Sequence, residues 1–97
     1  MKIDRLTKDL FLQRLKEKGA IVIDVRTPAE YEIGHIEAAV NIDIYSDDFM
    51  ERISKLDKDK PYSIYCHSGV RSSEALRIMR NEKFADIADL LGGYSSL

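Results

Sequence analysis

The residue best placed to do chemistry in this chain is its single cysteine, Cys66. It follows the apolar run Tyr62-Ser63-Ile64-Tyr65 and opens the segment Cys66-His67-Ser68-Gly69-Val70-Arg71, after which Ser72-Ser73-Glu74-Ala75-Leu76 reads as helix. Strand, tight loop and helix N-terminus together make a pocket for an anion, because the first N–H groups of a helix have no partner within it. A thiolate is an anion, yet a thiol with an ordinary pKa of about 8.5 is only a few per cent ionised at neutral pH. Three features are expected to lower that value. The following helix points its positive end at the sulfur. The loop amides from His67 to Arg71 can converge on it. Arg71 adds a permanent positive charge. Gly69 suits a loop that curls this tightly, since it accepts backbone angles other residues resist.

The elements that must hold this loop are legible around it. Thr7 is expected to cap a helix over residues 8–18, with Leu10, Phe11 and Leu15 as its apolar stripe and Gly19 as its stop. Residues 20–25 form an almost continuous apolar run, the pattern of a strand buried on both faces. Thr27, Pro28 and Glu30 spell a helix start with a capping box, and Gly34 ends that helix after Ile33. Residues 39–42 read as a short strand. Ser46 is expected to cap a helix reaching Leu56, with Phe49, Ile53 and Leu56 on one face. A turn at 58–61, a strand at 62–65, a helix over 71–81 with Ala75, Leu76, Ile78 and Met79 inward, and a strand at 87–91 complete the chain. Strands alternating with helices predict an α/β fold with a mainly parallel sheet, in which ligands bind beyond the carboxyl ends of the strands.

Composition narrows the function classes. A chain of 97 residues has room for one core, so residues 1–97 are read as a single domain. With 44% apolar and 33% charged residues it is an ordinary globular chain. A net charge of −2, with no basic cluster, argues against a nucleic-acid partner. The first nine residues lack an apolar signal core, and no apolar run approaches bilayer length, so no membrane partner and a cytoplasmic location are expected. One cysteine excludes an internal disulfide framework and a multi-cysteine metal site.

The loop Cys66-His67-Ser68-Gly69-Val70-Arg71 resembles the Cys-x-x-Gly-x-Arg active-site loop of rhodanese-like sulfurtransferases. Three further stretches match that family in order: Asp24-Val25-Arg26, the run from Glu30-Tyr31 through Gly34-His35-Ile36 to Ala39-Val40-Asn41-Ile42, and Leu90-Leu91-Gly92-Gly93. The resemblance spans residues 3–94. It implies a three-layer α/β domain, a central mainly parallel sheet flanked by helices on both faces. It also implies that Cys66 carries a sulfane sulfur as a persulfide and hands it to a nucleophile, with His67, Ser68, Gly69, Val70 and Arg71 receiving the substrate and no metal or organic cofactor required. Members of the family often continue past the two glycines with a tryptophan and a further helix. Here Tyr94-Ser95-Ser96-Leu97 follows and the chain has no Trp, so that helix is expected to be short or absent, leaving room for a contact with a second copy.

Loop length separates two chemistries. Cysteine phosphatases, including a rhodanese-fold group, resemble a loop with one residue more between cysteine and arginine than the four found here. A tetrahedral phosphoryl group needs a wider cradle than one sulfur atom, so the shorter loop favours sulfur transfer over a phosphatase or arsenate reductase. The expected cycle takes sulfur from an anionic donor such as thiosulfate or another persulfide and gives it to a thiol or cyanide. Without a second cysteine, the acceptor lies outside the chain: a small thiol or a protein partner. The rival from a different class is a rhodanese-like module that binds or regulates without turnover, against which the intact Cys66 and Arg71 count. Other polar residues read as structural. His35 is expected to hydrogen-bond in a turn. Arg26 is expected to pair with an acid such as Glu30 while Asp24 steadies nearby loops, and Ser72 or Ser73 to cap the helix.

Overall fold

The computed structural model describes residues 2–17 and 19–97. Its elements alternate: β1 (Lys2–Leu6), α1 (Lys8–Leu15), β2 (Ile21–Asp24), α2 (Pro28–Ile33), β3 (Val40–Asn41), α3 (Phe49–Ser54), β4 (Pro61–Tyr65), α4 (Val70–Asn81) and β5 (Asp86–Leu90), followed by a short 3-10 turn at Tyr94–Ser96. The five strands form one sheet in the order β1-β5-β4-β2-β3, and every pair is parallel. The fold is therefore α/β, as the alternation of patterns implied.

Side chains alternate across the sheet and build two cores. On one face Ile23, Val25, Tyr62, Ile64, Cys66 and Ile87 pack under Phe49 and Ile53 of α3 and Ala75, Leu76 and Met79 of α4. On the other, Val22, Tyr65 and Leu90 pack under Phe11 of α1, with Tyr31 of α2 and Tyr94 at the margin. Each fully buried large side chain in these layers contributes about 1.5–3 kcal/mol of transfer free energy.

Several element ends differ from expectation. The end expected for α1 at residue 18 lies outside the described residues; the described helix runs to Leu15, and Thr7 precedes it without a side-chain bond to the helix. The helix expected from Ser46 starts at Phe49, because Ser46 and Asp48 bond each other in a turn that runs into it. Strand β1 was not read from the sequence. Lys2–Leu6 mixes three charged and two apolar residues without strict alternation and gains its partner from the far end of the chain, Arg5 lying opposite Asp89 and Leu6 opposite Leu90. The capping box of α2 is present, the Thr27 side chain accepting from Glu30 N–H while Glu30 accepts from Thr27 N–H.

Candidate active site

Cys66 stands just past the carboxyl end of β4, the middle strand, and α4 starts at Val70. Gly69 occupies the N-cap of α4 with φ +102°, a left-handed conformation that residues with a Cβ resist. That turn aims the Gly69 N–H at Cys66 Sγ, 3.0 Å away. Unlike α2, helix α4 has no side-chain cap. The N–H groups of its first turn, and the positive end of its dipole, are left without a side-chain cap next to the loop.

Cys66 Sγ is fully buried, while His67, Ser68 and Val70 are exposed around it. Two cavities open beside the loop. One, of about 380 Å³, is lined by Arg26, Glu30, Ile33, Gly34, His67 and Tyr94. The other, of about 340 Å³, is lined by Ile44, Tyr45, Val70, Arg71, Glu74 and Ile78. Ile33, Val70 and Tyr45 are 91%, 75% and 71% exposed, so the loop sits within an apolar rim.

The charges are wired differently from the sequence expectation. Arg26 does not pair with Glu30. It is held by Asp24, through Nε at 3.0 Å and Nη2 at 2.7 Å, and donates to Gly34 O at 2.6 Å. Residues two apart in extended chain point to the same side, so Asp24 reaches Arg26 first. Burial alone would lower the Arg26 pKa, but the bonds and charge of Asp24 outweigh it and leave the pKa raised. Arg26 also lies 4.5 Å from the centroid of the Tyr94 ring. Burial in turn pushes the Tyr65 phenol upward.

Glu30 instead takes Arg71 in a two-point bond, at 2.6 Å and 2.9 Å. Those bonds, against a smaller opposing effect of burial, pull the Glu30 carboxyl down to about 2, and they raise Arg71. Arg71 therefore braces the start of α4 against α2. His35 behaves as expected. Its Nδ1 lies 2.7 Å from Tyr31 O and its ring stacks on Tyr31 at 3.7 Å, a structural arrangement.

Behind the sulfur lie Ser72, read from the sequence as a cap, and two residues the sequence reading gave no role, Asp89 and Arg5. The Cys66 thiol donates to Ser72 Oγ at 3.6 Å, and the Ser72 hydroxyl lies 2.8 Å from Asp89 Oδ2. Ser72 is thus no helix cap. Arg5 grips Asp89 with Nε at 2.9 Å and Nη2 at 3.0 Å, and also donates to Gly69 O at 2.9 Å. The hydrogen bond to Asp89, offset in part by burial, raises Arg5 further. The available signal was Asp89 itself, a charge interrupting the apolar run 87–91, which a buried strand tolerates only with a partner. Among the described residues no group of three or more His, Cys, Asp or Glu side chains could hold a metal ion, and no helix is long and apolar enough to cross a membrane.

Comparison with known proteins bears on this geometry. Residues 7–97 match the family model of the Rhodanese-like domain. The chain is 34% identical over 82 residues to the thiosulfate sulfurtransferase GlpE of Pseudomonas syringae pv. syringae (strain B728a), covering 84% of this chain and 76% of that protein. It is 37% identical over 90 residues to the tRNA uridine(34) hydroxylase of Onion yellows phytoplasma (strain OY-M), covering 89% of this chain; there it spans only 29% of the relative's length. Among solved structures, a rhodanese-related protein of Thermoplasma volcanium superposes with a TM-score of 0.82 at 29% identity, covering 96% of this chain and 89% of that one.

Proposed function

The chain belongs to the rhodanese-like domain family, and on that premise we propose that it is a sulfurtransferase working through a Cys66 persulfide. The observation that carries the reading is the Gly69 N–H on Cys66 Sγ at the uncapped start of α4. It places hydrogen-bond donors where an added sulfur would carry negative charge. In the first half-reaction the Cys66 thiolate attacks the outer sulfur of thiosulfate or of another persulfide. A new S–S bond forms, the donor's own S–S bond breaks, and sulfite or a thiolate departs with the electron pair. In the second, an acceptor thiolate or cyanide attacks the outer sulfur and the Cys66 thiolate leaves. Cys66 is the nucleophile. Gly69 and the α4 N-terminus hold the persulfide, while His67, Ser68 and Val70 form the mouth through which donor and acceptor pass. Arg71, whose charge is offset by its pairing with Glu30, braces the start of α4 beside the loop. The apolar rim of Ile33, Tyr45 and Val70 fits a protein acceptor as well as a small thiol. We read residues 1–97 as a single domain that works in the cytoplasm, where a lone thiol stays reduced.

A second reading rests on the hydroxylase relatives, of which this chain spans a minor part: the domain serves as a binding or regulatory module for other machinery, without sulfur turnover. Mass spectrometry after exposure to thiosulfate separates the two. We expect Cys66 to gain the mass of one sulfur atom, and cyanide to release it as thiocyanate. Cys66→Ser should abolish both. A folded parent protein that gains no sulfur would remove the enzyme reading. Hydrolysis of p-nitrophenyl phosphate would point to a phosphatase instead.

A further inference from the structure

We infer that Asp89, clamped by Arg5, is a positioning residue for Cys66 that acts through the Ser72 hydroxyl. Cys66, Ser72 and Asp89 are all fully buried, on the sheet face covered by α4. A carboxylate in a buried strand persists only where charge and hydrogen bonds compensate it. Arg5 supplies the charge from the neighbouring strand, directly across the register from Asp89. The remaining capacity of Oδ2 is met by Ser72 at 2.8 Å.

Ser72 has one proton to give and three neighbours: Asp89 Oδ2 at 2.8 Å, Gly69 O at 3.3 Å and Cys66 Sγ at 3.6 Å. The nearest of these acceptors is also the charged one, and it takes the proton. Ser72 then shows Cys66 only lone pairs, so it can accept from the thiol but cannot donate to the thiolate. For the thiolate to gain that donor, the Ser72 proton must swing from Asp89 to Sγ, leaving Asp89 to Arg5 alone. Asp89 therefore opposes ionisation of a sulfur it does not touch, against the Gly69 N–H, which favours it. Arg5 ties the two sides together, since Nη2 also fixes Gly69 O at 2.9 Å.

The other charged groups around this set are already committed. Arg71 of α4 is paired with Glu30 of α2, Arg26 with Asp24 on β2, and Arg14 of α1 with Asp86 at the opposite end of β5. Tyr65 of β4 has an upward-shifted phenol, and His67 is exposed in the loop.

The test is the pH dependence of iodoacetamide alkylation of the full chain, where Cys66 is the single thiol. Asp89→Asn keeps the shape and removes the charge, so the group left facing Ser72 holds the hydroxyl proton less tightly and the sulfur can compete for it. We expect the alkylation inflection to fall by about one pH unit, a tenfold gain in thiolate and a roughly threefold gain in rate at a pH below both inflections, because a less basic thiolate is a weaker nucleophile. In a Ser72→Ala background the same substitution should shift it by less than half as much. An unmoved inflection in Asp89→Asn overturns the inference. An equal shift in both backgrounds also overturns it, since it would show a field effect that bypasses Ser72. If Asp89→Asn does not fold by circular dichroism, Arg5→Gln tests the link from its half-exposed end. Loosening the clamp should tighten the hold of Asp89 on the Ser72 proton and raise the inflection, and by more with Ser72 present than in Ser72→Ala, where only the lost Arg5 charge acts on the sulfur; no shift, or one equal in both backgrounds, sinks the idea. The role of Cys66 as sulfur carrier is assumed only for the bearing on turnover. Alkylation is measured with no sulfur donor, so failure of persulfide formation and failure of this relay give different results.

Discussion

Replacing Glu30 with Gln isolates one charge at the junction of α2 and α4. Gln at this position can still close the capping box with Thr27, so the helix start survives and only the ion pair to Arg71 is lost. The Glu30 carboxyl drops from its ordinary 4.5 to about 2 because Arg71 bonds it twice. At roughly 1.4 kcal/mol per pH unit that drop sets a ceiling of about 3 kcal/mol. Solvent reaches both partners, with 19% of the Arg71 and 32% of the Glu30 side chain exposed. Screening brings the expected contribution down to about 1 kcal/mol. A carboxyl whose folded pKa lies below its unfolded one binds fewer protons when folded. Its stabilisation is therefore complete above about 4.5 and lost as the pH falls toward 2.

For a domain of this size 1 kcal/mol corresponds to about 4–8 °C in Tm. Thermal unfolding at pH 7 should place Glu30→Gln that far below the parent, and the two curves should converge as the pH is lowered from 4.5 toward 2. Arg71→Met should behave alike, and the double variant should cost no more than either single change at this pair. A Tm difference that stays constant across the acid range, or no difference at pH 7, would refute the assignment of the low Glu30 value to this ion pair.

Gly93→Ala should cost more than about 2 kcal/mol and impair persulfide formation, because φ is +64° and a Cβ there would lie 2.4 Å from the His67 carbonyl carbon and oxygen. Gly19→Ala, at φ +83° with no atom within 4 Å, should cost only about 1 kcal/mol; similar losses at the two sites by denaturant unfolding would count against the overlap. Arg14→Met should cost about 2–3 kcal/mol in guanidinium unfolding. Arg14 is 7% exposed, bonds Ser63 Oγ at 2.8 Å and Tyr62 O at 3.0 Å, and sits at ion-pair distance from Asp86, so Met leaves those groups stranded; an unchanged midpoint would show that they find other partners.

What the sequence revealed and what it hid divide by the distance over which a signal acts. The apolar run ending at Tyr65, the glycine three residues after Cys66, and the Thr27–Glu30 box are local patterns, and each appears in the structure where local chemistry places it. The partners of charged side chains are not local. Glu30 is four residues from Arg26, yet it bonds Arg71, 41 residues away, because Asp24 already holds Arg26. Arg5 and Asp89 are separated by 84 residues and meet only because β1 adds to the sheet beside β5. Strand β1 was itself obscured because the adjacent charges Asp4 and Arg5 break the period-two pattern that marks a strand. The order of strands, which no single segment encodes, decides which charges meet beneath the cysteine.

The same topology explains how a short loop keeps its shape. The carbonyl of Cys66 accepts from Tyr94 N–H at 2.7 Å, that of His67 from Ser95 N–H at 3.0 Å, and that of Gly69 from Ser73 N–H at 3.1 Å and from Arg5. In a trans peptide the carbonyl and the following N–H point opposite ways, and the described residues contain no cis bond. Tying those three carbonyls from behind therefore turns the N–H groups of His67, Ser68 and Val70 away from their anchors, toward the front of the loop, while Gly69 N–H is held on Sγ itself. The donors that would receive a persulfide are thus oriented by groups that need not touch it: segment 93–95 on one side and Arg5 on the other. Gly93 must lack a side chain for that segment to lie so close, which makes the glycine pair part of the loop's construction as well as the end of a strand. A cradle fixed from outside cannot widen for a larger group without breaking those anchors. The shape of the loop thereby becomes a property of the whole sheet end and not of six residues.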